Sequence, residues 1–164
     1  MTITIRSAEP SDRDALVAFN QAIARETEDR ELNEQTLRYG ISALLADEHL
    51  GFYLVAEDAG RVIGCVMITR EWSDWRNGVF WWVQSVYVDA EYRRQGVYRR
   101  LYQHVHSLAK DHNVCGFRLY VERDNTIAQQ TYTNLGMNET PYRMFEQEVT
   151  QSENASEKRG LAPC

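Results

Sequence analysis

Positions 93–100 carry four arginines, Arg93, Arg94, Arg99 and Arg100, with Gln95, Gly96, Val97 and Tyr98 between them. A β-type run at 83–88 leads into this segment and a helical repeat follows it. A helix beginning near Gly96 has a partly positive first turn, where each added cation is unfavourable by about 0.3 kcal/mol or more. The only nearby acids are Asp89 and Glu91. A bound anion resolves the conflict. A strand, a glycine-containing turn and a helix N-terminus form a seat whose backbone N–H groups have no partner within the helix. The segment therefore reads as a holder for a phosphate-bearing ligand; the plainer alternative is a solvated basic face on an ordinary helix.

The rest of the composition narrows the ligand class. The chain has 164 residues, 43% hydrophobic and 26% charged, which suits one soluble globular domain. No apolar run approaches the roughly 20 residues that span a bilayer, so no membrane partner is expected. Residues 1–6 alternate like a strand and lack the charged-then-apolar pattern of a secretion signal. A net charge of −6 argues against nucleic acid, whose binders carry a broad basic face. The arginine cluster is local and suits a small polyanion. The cysteines, Cys65, Cys115 and Cys164, form no C-x-x-C pair, and the four histidines share no spacing with acids. Neither a disulfide framework nor a metal site is expected, and a reducing, cytoplasmic setting fits best.

Periodicity gives the elements. Residues 2–7 read as a strand, and Ser11 with Asp14 resembles a capping box opening a helix to about residue 26. Asn33 caps a second helix with Leu37, Ile41, Leu44 and Leu45 on one stripe. Residues 51–57 and 61–69 form a hairpin about Asp58, Ala59 and Gly60. Residues 70–78 read as an exposed loop, 79–88 as a long strand, 96–112 as a helix and 116–121 as a strand. A short helix at 125–135 stops at Gly136, and 142–149 is a last strand. The order β-α-α-β-β-β-α-β-α-β is an α/β (α+β) mixed sheet with helices on both faces and one right-handed crossover. Residues 1–149 are expected to form one domain and 150–164 a loose polar tail.

Two common phosphate loops are absent: there is no G-x-x-x-x-G-K-[ST], and no G-x-G-x-x-G opens the chain. What remains resembles the GCN5-related N-acetyltransferase (GNAT) superfamily over roughly residues 2–148. The family's acetyl-CoA motif, Q/R-x-x-G-x-G/A, is similar to Arg93, Arg94, Gln95, Gly96, Val97, Tyr98, with Tyr98 in place of the small final residue. A second run, N-x-x-A-x-x-x-Y-x-x-x-G-[FM], resembles Asn125, Ala128, Tyr132, Gly136 and Met137.

The resemblance implies a direct transfer of the acetyl group of acetyl-CoA to an amine in a ternary complex, without a metal. It places backbone groups at Val86, Tyr87 and Val88 along the pantetheine arm and thioester. It places the diphosphate on the amides of 94–99, with the guanidinium groups of Arg93, Arg94 and Arg99 adding charge, and puts Asn125 and Tyr132 beside the coenzyme. Tyr132 is the expected general acid toward the leaving sulfur. No general base carries over, because Tyr120 stands where some relatives have a glutamate; Glu122, Glu71 and Asp74 are candidates, with Glu122 nearest in sequence. Expected acceptor-side residues are Glu26 and Glu28 in an acidic rim, Trp72 in a tryptophan cluster, and Gln84 on the central strand. The acceptor is a small primary amine or a protein amine. A non-catalytic acyl-CoA-binding module on the same fold is the alternative, and a homodimer is an assembly the family analogy brings.

Overall fold

The computed structural model describes residues 2–149; the expected tail at 150–164 lies outside them. The described residues fall into two compact units, one ending at Glu122 and one beginning at Arg123.

The first unit is built on a five-stranded sheet of order β1-β2-β3-β4-β5. Its strands are β1 (Thr4–Ser7), β2 (Phe52–Asp58), β3 (Arg61–Ser73), β4 (Gly78–Val88) and β5 (Val114–Arg118). Neighbours are antiparallel except β4 and β5, which run parallel, joined by helix α3 (Val97–Ala109). The β2–β3 turn works because Ala59 and Gly60 both take positive φ, 49° and 79°, the conformation that matches hairpin twist. Helices α1 (Arg13–Glu28) and α2 (Glu34–Ala46) precede β2. Asn33 caps α2 as expected, its side chain accepting from the Thr36 amide at 2.9 Å.

Alternation along the strands separates two cores. Leu54, Ala56, Ile63, Val66, Ile68, Trp81 and Val83 pack with Val97, Leu101 and Val105 of α3. Tyr53, Val55 and Cys65 pack on the other face with Leu16, Val17, Phe19 and Ile41 of α1 and α2. Helices thus cover both faces of the sheet. Adjacent Trp81 and Trp82 point to opposite faces, as strand geometry requires.

Four expectations need correction. The first helix opens through a short 3-10 turn at Pro10–Asp12, and the reciprocal contact is between the Glu9 amide and Asp12, at 2.7 Å, instead of between Ser11 and Asp14. Pro10 favours that earlier start, since its fixed φ suits a first turn. Strand β3 runs to Ser73, so Glu71 and Trp72 lie in a hairpin instead of a loop; cross-strand pairing with Phe80 and Val79 holds them extended. Strand β5 spans Val114–Arg118, which leaves Tyr120 and Glu122 beyond the sheet. No strand forms at 142–149. Tyr142, Phe145 and Val149 are exposed there, so their strand-type side chains gain no packing on a sheet face.

The second unit contains α4 (Thr126–Asn134). Asn125 caps it, accepting from the Ala128 amide at 3.1 Å. Gly136, at φ 91°, ends it with the left-handed residue that helix C-termini favour. No helix among the described residues is long and apolar enough to cross a membrane.

Candidate active site

The turn between β4 and α3 carries the arginines. Arg94 and Gly96 both take left-handed backbone, φ 64° and 77°. Gly96 is the N-cap of α3 and has no side chain with which to cap it, and the first turn of α3 contains no acid. Asp89 and Glu91, the acids nearest the cluster in sequence, are both held by Arg61, at 2.6 and 3.4 Å. Arg94 and Arg99 are exposed and enter no ion pair among the described residues. The helix dipole and two uncompensated guanidinium groups therefore add to one local positive potential. Val97 anchors the turn from below, 2% exposed in the α3 core.

Arg93 is placed differently. Its Nη2 donates to both carboxylate oxygens of Glu26, at 2.9 and 2.8 Å, and its Nε donates to the Val88 carbonyl at 3.0 Å. The guanidinium also lies over the Tyr87 ring, 5.5 Å from its centroid. Contact with Glu26 pushes the Arg93 pKa further above its ordinary value. Gln95 turns back to the Glu91 carbonyl, 2.8 Å away.

Strand β4 contains a feature that alternation does not announce. Cys65 pairs with Tyr87 and Met67 with Gln84, so Ser85 and Val86 together oppose Val66. Ser85 takes φ 47°. This bulge resets the strand's phase: Val83 faces α3, and so do Val86 and Val88. Strand β5 pairs with β4 only from Val79 to Trp82. From 83 to 88, β4 has β3 on one edge and no strand on the other among the described residues. The Asp89 amide donates to Ile63 of β3, 2.8 Å away. Because backbone groups alternate between edges, Tyr87 also faces β3, whereas Val86 and Val88 face the open edge.

On the α1/α2 side of the sheet, β3, β4 and β5 carry a polar and aromatic cluster. Glu71 accepts from Trp82 Nε1 at 3.3 Å and from Arg118. The Arg118 guanidinium stacks on Phe80, 3.7 Å from the ring centroid. Gln84 donates to Thr69 Oγ1 at 2.7 Å, and Tyr120 lies near Trp82, with ring centroids 6.2 Å apart. This pairing of Glu71 with Arg118 spans 47 residues and has no local sequence signature.

The expected acceptor residues do not gather in one place. Gln84 lies on the α1/α2 face, whereas Trp72, 62% exposed, projects from the opposite face of β3. Within the acidic rim, Glu26 holds Arg93, Glu28 holds Arg30 at 3.3 Å and Glu31 holds Arg25 at 3.1 Å. The rim is thus largely neutralised by arginine. Glu122 lies past the end of β5, so it does not share a sheet face with Tyr120. In the second unit, burial raises the Tyr132 phenol above its ordinary 10.0. Among the described residues, no group of three or more His, Cys, Asp or Glu is gathered to hold a metal ion.

The model of the acetyltransferase (GNAT) family matches residues 14–137. A possible acetyltransferase from Clostridium difficile 630 is 45% identical, with a TM-score of 0.86, over 92% of this chain and 100% of that one. A probable acetyltransferase of known structure is 21% identical over 93% of this chain and 100% of its own, with a TM-score of 0.78. A predicted acetyltransferase from Clostridium acetobutylicum, solved with acetyl-CoA, is 18% identical over 89% of this chain and 96% of its own, with a TM-score of 0.75. The last two show the fold alone. No curated protein matches the chain. With its family model spanning both the arginine turn and helix α4, the chain belongs to the GNAT family of acetyltransferases.

Proposed function

We propose that this protein is an N-acetyltransferase that uses acetyl-CoA and acts by direct attack of an amine in a ternary complex. The observation that carries the reading is the uncapped, left-handed turn at the end of β4, flanked by the unneutralised Arg94 and Arg99 and continuous with an open strand edge. These residues suit an acyl coenzyme. A diphosphate fits backbone amides and guanidinium groups at a helix N-terminus, and pantetheine amides fit an unpaired strand edge.

When bound, acetyl-CoA supplies a thioester carbonyl at which a C–N bond forms as the C–S bond breaks. The open-edge amides of Val86 and Val88 are the proposed donors to the developing oxyanion. Tyr132 is the proposed proton donor to the departing sulfur. Its raised pKa keeps the phenol protonated at neutral pH, the state a general acid requires. The amine must lose a proton, since an alkylammonium titrates near about 10.4. Glu122, four residues past the last residue of β5, is the proposed acceptor of that proton. The proposed acceptor is a small primary amine or a protein amine.

The test is thiol release from acetyl-CoA across a panel of small amines and peptides, with the acetylated product identified by mass. Amine-dependent release matched by an N-acetyl product supports the reading. Binding of acetyl-CoA without amine-dependent release contradicts it and favours a coenzyme-binding module.

A further inference from the structure

We infer that Glu26 is a positioning residue for the coenzyme seat, acting through Arg93, instead of an acid that receives the acceptor. The inference rests on the proposed function only in calling the turn a coenzyme seat; the brace itself is geometric. Three contacts fix the Arg93 guanidinium. The Nη2 atom is held by both oxygens of Glu26, the Nε atom holds the Val88 carbonyl, and the plane lies over Tyr87. Tyr87 in turn stacks on Phe19 of α1, with ring centroids 4.8 Å apart at 29°. Helix α1 is thereby tied to the end of β4 by one ion pair, from Glu26, and one aromatic stack, from Phe19.

What lies on either side of this tie gives it consequence. Arg93 immediately precedes Arg94, a non-glycine residue in left-handed backbone, which costs about 1–2 kcal/mol and persists only where its surroundings hold it. Arg93 is the side chain in that turn with a fixed anchor on another element, and the anchor is Glu26, 67 residues away. The same arginine caps Val88, whose backbone faces the open edge of β4. One side chain therefore sets both the turn and the end of the strand edge. On the α1 side, Gln21 holds Leu32 through both its amide atoms, at 2.8 and 3.0 Å, so the segment after α1 is itself fixed. The Glu26 carboxylate, with both oxygens on Arg93, is not presented to an incoming amine.

The ion pair is about half exposed, 42% and 47%, so its effect on global stability is small. Its effect on the turn is local, and that separates positioning from bulk stability. The experiment compares wild type, Glu26→Gln, Glu26→Asp and Arg93→Lys by amide hydrogen exchange without ligand and by calorimetric titration with coenzyme A. In Glu26→Gln, exchange should quicken in the peptide covering 89–99 and stay unchanged in the β2–β3 hairpin. Coenzyme A affinity should fall about tenfold, the scale of one charge-assisted hydrogen bond. Glu26→Asp, which keeps the carboxylate, should fall between wild type and Glu26→Gln. Arg93→Lys should behave like Glu26→Gln, because an ammonium cannot serve Glu26 and Val88 with fixed, divergent donors.

Unchanged exchange at 89–99 in Glu26→Gln, or faster exchange spread evenly over the sheet, would overturn the inference. So would loss of amine turnover with normal coenzyme A affinity, which is the signature of an acceptor-binding acid. Wild-type protein that fails to bind coenzyme A would sink the proposed function, and the exchange result would still decide whether Glu26 holds the turn.

Discussion

Arg94 and Gly96 share the left-handed backbone region, at φ 64° and 77°, within one turn. Only one of them is a residue that adopts it freely. Replacing Gly96 with alanine isolates the backbone effect, because a Cβ there would meet no atom within 4 Å. Gly96→Ala should lower stability by about 1 kcal/mol and weaken coenzyme A binding as the turn shifts. Chemical denaturation and calorimetry check the two effects.

Charge at the turn should act at long range. Arg94→Glu reverses a cation that no acid neutralises among the described residues. Coenzyme A affinity should fall, and the difference from wild type should shrink as salt rises toward about 1 M, where the Debye length is near 3 Å. Titrations at low and high ionic strength measure this. A difference that ignores salt would place the ligand elsewhere.

Tyr132→Phe should slow acetyl transfer while coenzyme A affinity barely moves. The direction of the phenol's shift fixes the pH behaviour. Burial raises its pKa above 10.0, so the folded protein holds this proton more tightly than the unfolded chain. The protonated donor persists throughout the neutral range, and its stabilising effect on the fold is lost only as pH climbs past that value. A pH–rate profile should show no decline from Tyr132 ionisation across the neutral range.

Gly116 lies under the Phe80 ring, and a Cβ there would sit 2.7 Å from Phe80 Cε1. Gly116→Ala should therefore cost about 1–3 kcal/mol, as overpacking does. It should also disturb the stack of Arg118, on the same strand, against that ring. Thermal denaturation checks the first effect, and fluorescence of Trp82, which shares Glu71 with Arg118, the second.

The parts of the fold that were legible in the sequence are those with local causes. Asn33 and Asn125 cap helices because a short side chain reaches an amide three residues on. Gly60 and Gly136 mark turns because their backbones are left-handed. The arginine turn was legible because its charge contradicts the helix dipole. The Ser85 bulge was not, since serine carries no left-handed signature. The arginine partners of the rim acids were equally hidden for Glu26, whose mate is 67 residues distant. The expected strand at 142–149 failed for the converse reason: local propensity was present, but Tyr142, Phe145 and Val149 stay exposed instead of packing on a sheet face.

The most direct test of the coenzyme seat is a backbone amide NMR titration with coenzyme A. The largest shifts should fall on Arg94, Gly96, Val97 and Arg99, with Val86 and Val88 following. Shifts concentrated elsewhere, with those amides silent at saturation, would contradict the account.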